Sequence, residues 1–325
     1  RERHLLGQSH PGSFHIGCDP SGTMDAFEKK IMKARLPSWL VTPESLLIGL
    51  GMAFWFIMGK LDHSFLQWEV QRELSTHIWE TALMALPMTL IILTGGIDLS
   101  IGSIMSLSAV TAGLLHQAGW PMPMGCLAAM VVGMACGWFN GWFITRFKVH
   151  PLMITLASMA AFRGMAEGVS QARPLSGFPE SFTRMGNDAW LGLPIAGWIF
   201  AGSLAMAVWI MHAHRLGRCI HAIGYNEQAA RFSGLRVDRM LLGLYTLSGL
   251  SAAMAAILFM ARRNTAKADI GAGVELGVIT AVVMGGVSIF GGRGTLAGVC
   301  LGLFLIHETR EFVSWHWSRD ELNLL

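Results

Sequence analysis

The chain has 325 residues, of which 53% are apolar, 38 are glycine and only 14% are charged, whereas charged residues make up about 25% of a soluble domain. With a mean hydropathy of +0.48, this excludes an ordinary soluble domain and points to one polytopic membrane bundle whose helices satisfy their own backbone polar groups. The net charge is only +3 and the basic residues are scattered, so the footprint of a nucleic-acid binder is missing.

In chain order, residues 1–23 lack an initiating methionine and an apolar signal core, and read as a disordered or non-native lead. Met24 reads as the natural start. Lys29, Lys30, Lys33 and Arg35 then make 24–42 a cytoplasmic amino-terminal arm. A membrane helix needs about 20 mostly apolar residues. On that rule spans are expected near 43–60, 79–96, 99–116, 122–145, 152–169, 191–212, 240–261 and 274–290, with a short ninth near 294–308. The expected permease domain is therefore 43–308. Residues 309–325 are expected to form an external segment leading to a tenth, truncated span from Leu322. Only Gly95, Gly96, Ile97 and Asp98 separate the second and third spans, and the ninth is short, so either place suits a re-entrant or broken helix. Five arginines in 213–239 (Arg215, Arg218, Arg231, Arg236 and Arg239) place that segment, and hence the amino terminus, inside. A faint internal similarity links 94–114 with 284–303.

Several residues stand out against this apolar background. Asp98 and Ser100 can cap the third helix while Gly95 and Gly96 end the second; the sharper reading gives them a pathway role. Asn140 beside Gly141 suits an interhelical hydrogen bond or a pathway lining. Arg163 has Glu167 four residues on, which suits an ion pair near the outer interface or, alternatively, contact with a solute. Residues 226–234 read as a two-turn amphipathic helix: Asn226 caps it, Glu227 and Arg231 are helix formers, Ala229, Ala230 and Phe232 make a small apolar face, and Gly234 stops it. Such a helix can dock on a partner or lie on lipid.

Enzyme motifs fail on inspection. Gly291, Gly292, Arg293 and Gly294 lack the Lys-Ser or Lys-Thr pair of a phosphate loop, and Glu311 stands where a zinc-protease helix opening at His307 and Glu308 would need histidine. The five cysteines (Cys18, Cys126, Cys136, Cys219 and Cys300) show no CxxC spacing. No catalytic residue, metal site or disulfide is expected.

The string TGGIDLSIGSIMSL, the FNGWFITRFKVHPLMITLASMAAFRG stretch, AIGYNEQAARFSGLRVDRM and GVELGVITAVVMGGVSIFGGRGTLAGVCLG occur in order across about residues 45–308. Together they resemble the permease subunits of bacterial ribose-type monosaccharide ATP-binding-cassette importers. That resemblance implies an all-α, multi-pass protein of the inner (plasma) membrane, with no cofactor on this chain and ATP and Mg held by a separate ATPase subunit. It makes residues 226–234 the coupling helix that docks on that ATPase. It also implies a second permease copy or paralogue, an extracytoplasmic sugar-binding protein as partner and contact with membrane lipid. The external stretch from Arg173 to Trp190, with Pro174, Gly177, Pro179, Glu180 and Arg184, is the expected docking surface for the binding protein. Two rivals are an ion-coupled secondary transporter using Asp98, Glu167 or Glu275, and a truncated, non-functional remnant.

Overall fold

The structure is a computed structural model that describes residues 43–63 and 65–316. The expectations for the lead, the amino-terminal arm and the tenth span lie outside these residues. The helices are α1 (Pro43–Leu61), α2 (Trp68–Leu74), α3 (Trp79–Leu93), α4 (Ile101–Gln117), α5 (Met122–Phe147), α6 (Pro151–Ser170) and α7 (Glu180–Asn187). They continue with α8 (Ile195–His212), α9 (Arg215–Tyr225), α10 (Glu227–Phe232), α11 (Val237–Arg263), α12 (Val274–Met284) and α13 (Leu296–His316). Four two-residue strands form two antiparallel pairs, β1 (Leu175–Ser176) with β4 (Thr265–Ala266) and β2 (Ala189–Trp190) with β3 (Leu193–Pro194).

A helix lies at each of the nine expected spans, but the lengths differ. Among the described residues, five helices are long and apolar enough to cross a membrane: 44–61 within α1, α5, α6, α8 and α11. The eighth expected span shrinks to α12, whose 11 residues cover only about 16 Å at 1.5 Å per residue. It ends at Met284, and Gly286, two residues on, takes a left-handed φ of 85°. The ninth is the reverse: α13 has 21 residues and runs to His316, past the expected end at 308. The shortness read at the ninth span therefore belongs to the eighth.

The core forms around α3, α4 and α11. In α3 every residue from Ala82 to Leu93 is buried, so this helix faces protein rather than lipid. Pro87 lies inside it. A proline there has no N–H for the carbonyl four residues back, which is that of Leu83. The Ser251 hydroxyl of α11 donates to that carbonyl at 2.9 Å, a repair of the kind membrane interiors require. We expect Ser251→Ala to lower stability by about 1 kcal/mol, the net worth of one such bond. In a Pro87→Ala background the same change is expected to cost less, because residue 87 then donates to Leu83. Thermal unfolding of the four proteins in detergent checks the difference, and an equal cost in both backgrounds refutes it.

Helices α5 and α11 approach closely, backbone to backbone. Gly133, Gly137 and Gly141 repeat every four residues along one face of α5. A Cβ at Gly133 would run into the Gly249 carbonyl, and one at Gly137 into that of Tyr245. Small residues let membrane helix backbones approach where no water-driven force holds them together. Asn140 lies among these glycines, so the tight crossing delivers it to the centre of the bundle.

Candidate functional site

Three polar regions interrupt the apolar bundle. The first is its centre. Gly95 takes a φ of 83° and ends α3, after which Asp98 is fully buried. Its Oδ1 accepts from the Ser100 backbone N–H at 3.0 Å and from the Ser100 hydroxyl at 2.6 Å, and its Oδ2 accepts from the Ser248 hydroxyl at 2.7 Å. Asn140 Nδ2 in turn donates to Ser100 Oγ at 2.7 Å. Asp98 thus caps the start of α4 through one N–H, while the Ser100 side chain makes no capping bond. The Ser100 oxygen accepts from the Asn140 amide, so its own proton goes to the Asp98 carboxyl group. The Asp98 carboxyl joins the α3–α4 junction directly to α11, and α5 is tied in through Ser100. Gly96 borders the same centre beside the Tyr245 hydroxyl.

The second region surrounds α10. Asn226 caps it, its Oδ1 accepting from the Ala229 N–H at 2.9 Å, and Gly234 takes a φ of 85° just beyond its end. The apolar face expected from the sequence divides. Ala230 turns inward against Ile223 and Val237, while Ala229 is exposed and Phe232 is 92% exposed. A two-turn helix presents opposite sides within two residues, so only the inward side packs on α9 and α11. Arg231 donates to Glu227 at 2.6 and 2.9 Å and to Asp238 at 2.7 Å, and Lys148 also pairs with Asp238. The Asp238 hydrogen bond raises the Arg231 pKa beyond its already high range. This network clamps α10 to the start of α11 and the end of α5. Next to it a cavity of about 440 Å³ reaches Gly96 and Tyr245, so the clamp stands at a mouth leading toward the buried centre.

The turn after α12 reaches the same end. The Gly292 N–H donates to the Leu93 carbonyl at 2.9 Å, and His221 Nδ1 lies 3.0 Å from the Gly292 carbonyl. A Cβ at Gly224 would collide with the Leu93 carbonyl and Gly292. The contact joins α3, α9 and the turn backbone to backbone and leaves Phe290 93% exposed.

The third region is the opposite end. β1–β4 pairing and the bond from the Phe178 N–H to Asn264 Oδ1 at 3.0 Å give the 173–190 stretch a defined fold. α7 rests against α11, with Gly186 over Ala261 and Arg262. Arg163 does not pair with Glu167: its Nε and Nη2 are buried without a partner, whereas Glu167 is exposed. Four residues put the two on neighbouring sides of α6, yet the arginine turns to the protein and the glutamate away from it. Sequence reasoning missed Ser248, Asp238, Lys148 and the buried Glu80–Arg262 pair. Apart from Arg231, seven residues from Asp238, their partners lie 90 to 182 residues away, and only Asp238, an acid at the end of an arginine-rich segment, carried a local signal.

A multi-pass helical bundle with a pinned polar centre, a cavity leading toward it and a short clamped helix projecting from the same end suits a membrane transport protein. The model of the family described as branched-chain amino acid transport system / permease component matches residues 73–318. Among curated relatives, the autoinducer 2 import system permease protein LsrD of Yersinia enterocolitica is 39% identical over 230 residues, which is 69% of this chain and 70% of the relative. Its namesakes from Escherichia coli K12 and Shigella flexneri are 38% identical over 231 residues with the same coverage. No solved structure matches. The chain belongs to the branched-chain amino acid transport system / permease component family, as a multi-pass inner-membrane permease subunit of an ATP-binding-cassette importer. Such permeases are not enzymes, and they work with an ATPase and a substrate-binding protein. The match favours this reading over the ion-coupled rival and the non-functional remnant.

Proposed function

We propose that this permease imports a small polyhydroxylated solute of the monosaccharide class, and that autoinducer 2 is the first compound to test. The solute assignment rests on the sequence shared with the autoinducer 2 permeases across 69% of the chain. Energy enters through α10. Its capped, ion-clamped fold and the 92% exposure of Phe232, at the end where the arginine-rich segment lies, suit docking in a groove of the ATPase, which holds ATP and Mg. Force on α10 passes through Arg231 and Asp238 to the foot of α11, and α11 carries Ser248 to the Asp98 centre. Gly95, Gly96, Asp98, Ser100 and Asn140 then form the joint about which the helices change packing. A second permease copy or paralogue completes the membrane unit, with lipid around it, and the folded 173–190 stretch offers the surface for the external binding protein.

The deciding experiment is uptake into proteoliposomes holding the complete importer. Autoinducer 2, D-ribose and L-leucine are each supplied with their binding protein. ATP-dependent uptake of autoinducer 2 or ribose is expected. Uptake of leucine alone, or uptake that needs no ATP and collapses with an uncoupler, refutes the proposal.

A further inference from the structure

At the end of the bundle opposite α10, the start of α3, Met105 of α4, the end of α11, α12 and the later turns of α13 enclose a cavity of about 520 Å³. Its lining contrasts with the membrane helices around it, because Glu80, Arg262, Arg263, His307, Arg310 and Glu311 all contribute to it. Glu80 and His307 are only 6% and 9% exposed. Arg262 donates through Nε at 3.1 Å and Nη2 at 2.9 Å to the same oxygen, Glu80 Oε1. Glu80 Oε2 and His307 Nε2 are buried without a hydrogen-bond partner. An unsatisfied buried polar atom costs about 1–3 kcal/mol, and two of them belong to residues bordering one cavity. That combination marks a place built for a polar visitor.

The lining also selects the kind of visitor. Carboxylates and guanidinium groups occur together, so the cavity lacks the single-sign field that would favour a strongly charged ion. A hydroxyl both donates and accepts, and a solute with several hydroxyls can give a proton to Glu80 Oε2 while accepting from the arginines. The volume lies within the roughly 300–1,000 Å³ of small-molecule pockets. Met84, Phe259 and Leu303 supply apolar wall, as the C–H faces of a sugar ring require. We propose that this cavity is the external binding site of the permease for a small neutral polyhydroxylated solute, with Glu80 and Arg262 holding its hydroxyls and His307 completing the contacts. The proposal rests on the import reading above. It adds a coupling consequence: five helices share the site, so occupancy ties α12 and α13 to α3, α4 and α11.

Gly277 provides the test. It borders the cavity, and a Cβ added there meets nothing within 4 Å. Gly277→Leu therefore projects into open cavity space and replaces a poor helix former with a good one. In the complete proteoliposome importer, this variant is expected to lose at least about ten-fold in uptake of autoinducer 2 or D-ribose while keeping its assembly and Tm. Gly277→Cys supplies the same comparison within one folded complex. Its uptake is measured before and after a membrane-impermeant methanethiosulfonate is added from the binding-protein side, and is expected to fall at least about ten-fold on modification, with the wild-type protein treated alongside. Undiminished uptake by Gly277→Leu, or by Gly277→Cys after verified modification, overturns the site while leaving the import reading intact. A wild-type complex that takes up neither compound overturns the import reading and this site with it.

Discussion

Phe232→Asp is expected to reduce substrate-stimulated ATP hydrolysis by the assembled importer about thirty-fold, the equivalent of roughly 2 kcal/mol for the loss of an aromatic interface anchor. Phe232 is 92% exposed, so the change removes no internal packing, and membrane insertion and Tm should be unaltered. Phe290→Asp, at the neighbouring exposed aromatic, is expected to act in the same direction if the turn after α12 shares the docking surface. Ala230→Trp tests a different thing. Ala230 is 4% exposed and packed on Ile223 and Val237, so a tryptophan there overfills a small core and should lower Tm. Glu227→Arg sets like charge against Arg231 and should loosen the clamp. Unchanged ATPase stimulation and unchanged co-purification of the ATPase with Phe232→Asp would remove α10 from the interface.

Asp98→Ala should give the largest loss of stability of any single change in the bundle. It strips the Ser100 N–H, the Ser100 hydroxyl and the Ser248 hydroxyl of one acceptor group at once. Each such hydrogen bond is worth about 0.5–1.5 kcal/mol net, and leaving the donors buried and unpaired adds to the effect. Asp98→Asn retains one carbonyl oxygen and should recover part of the loss. Ser248→Ala removes one bond and should cost the least of the three. Thermal unfolding in detergent gives the order directly. A Tm for Asp98→Ala equal to that of Ser248→Ala would mean that the Asp98 carboxyl is not the joint of α4 and α11.

Much of the fold is legible because a membrane imposes a simple length rule. Apolar runs near 20 residues located α1, α5, α6, α8 and α11, and Asn226 and Gly234 bracketed α10 to within a residue or two. The rule works less well for helices that face protein. Buried helices do not need to cross hydrocarbon unaided, so α3 can carry a proline and α12 can stop after 11 residues. The site was legible only in part. Asp98 and Asn140 announced themselves as polar residues in an apolar setting, whereas Ser248 and Ser251 looked like any membrane serine. Their roles come from partners 150 and 168 residues away.

Composition and motif order by themselves determined the class of the protein: 53% apolar residues with 14% charge leave a helical membrane bundle, and the glycine- and asparagine-containing motifs indicate an importer permease. Tertiary structure decided what each polar side chain meets. It split the apolar face of α10 into an inward Ala230 and an outward Phe232, and it separated Arg163 from Glu167. It also made Asp98, with Ser100, a fastener of three helices and gathered Glu80, Arg262 and His307 around one cavity. The physical reason is one of range. Hydropathy and capping act within a few residues of chain, while a buried charge or hydroxyl is satisfied by whatever the packing of distant helices brings within 3 Å.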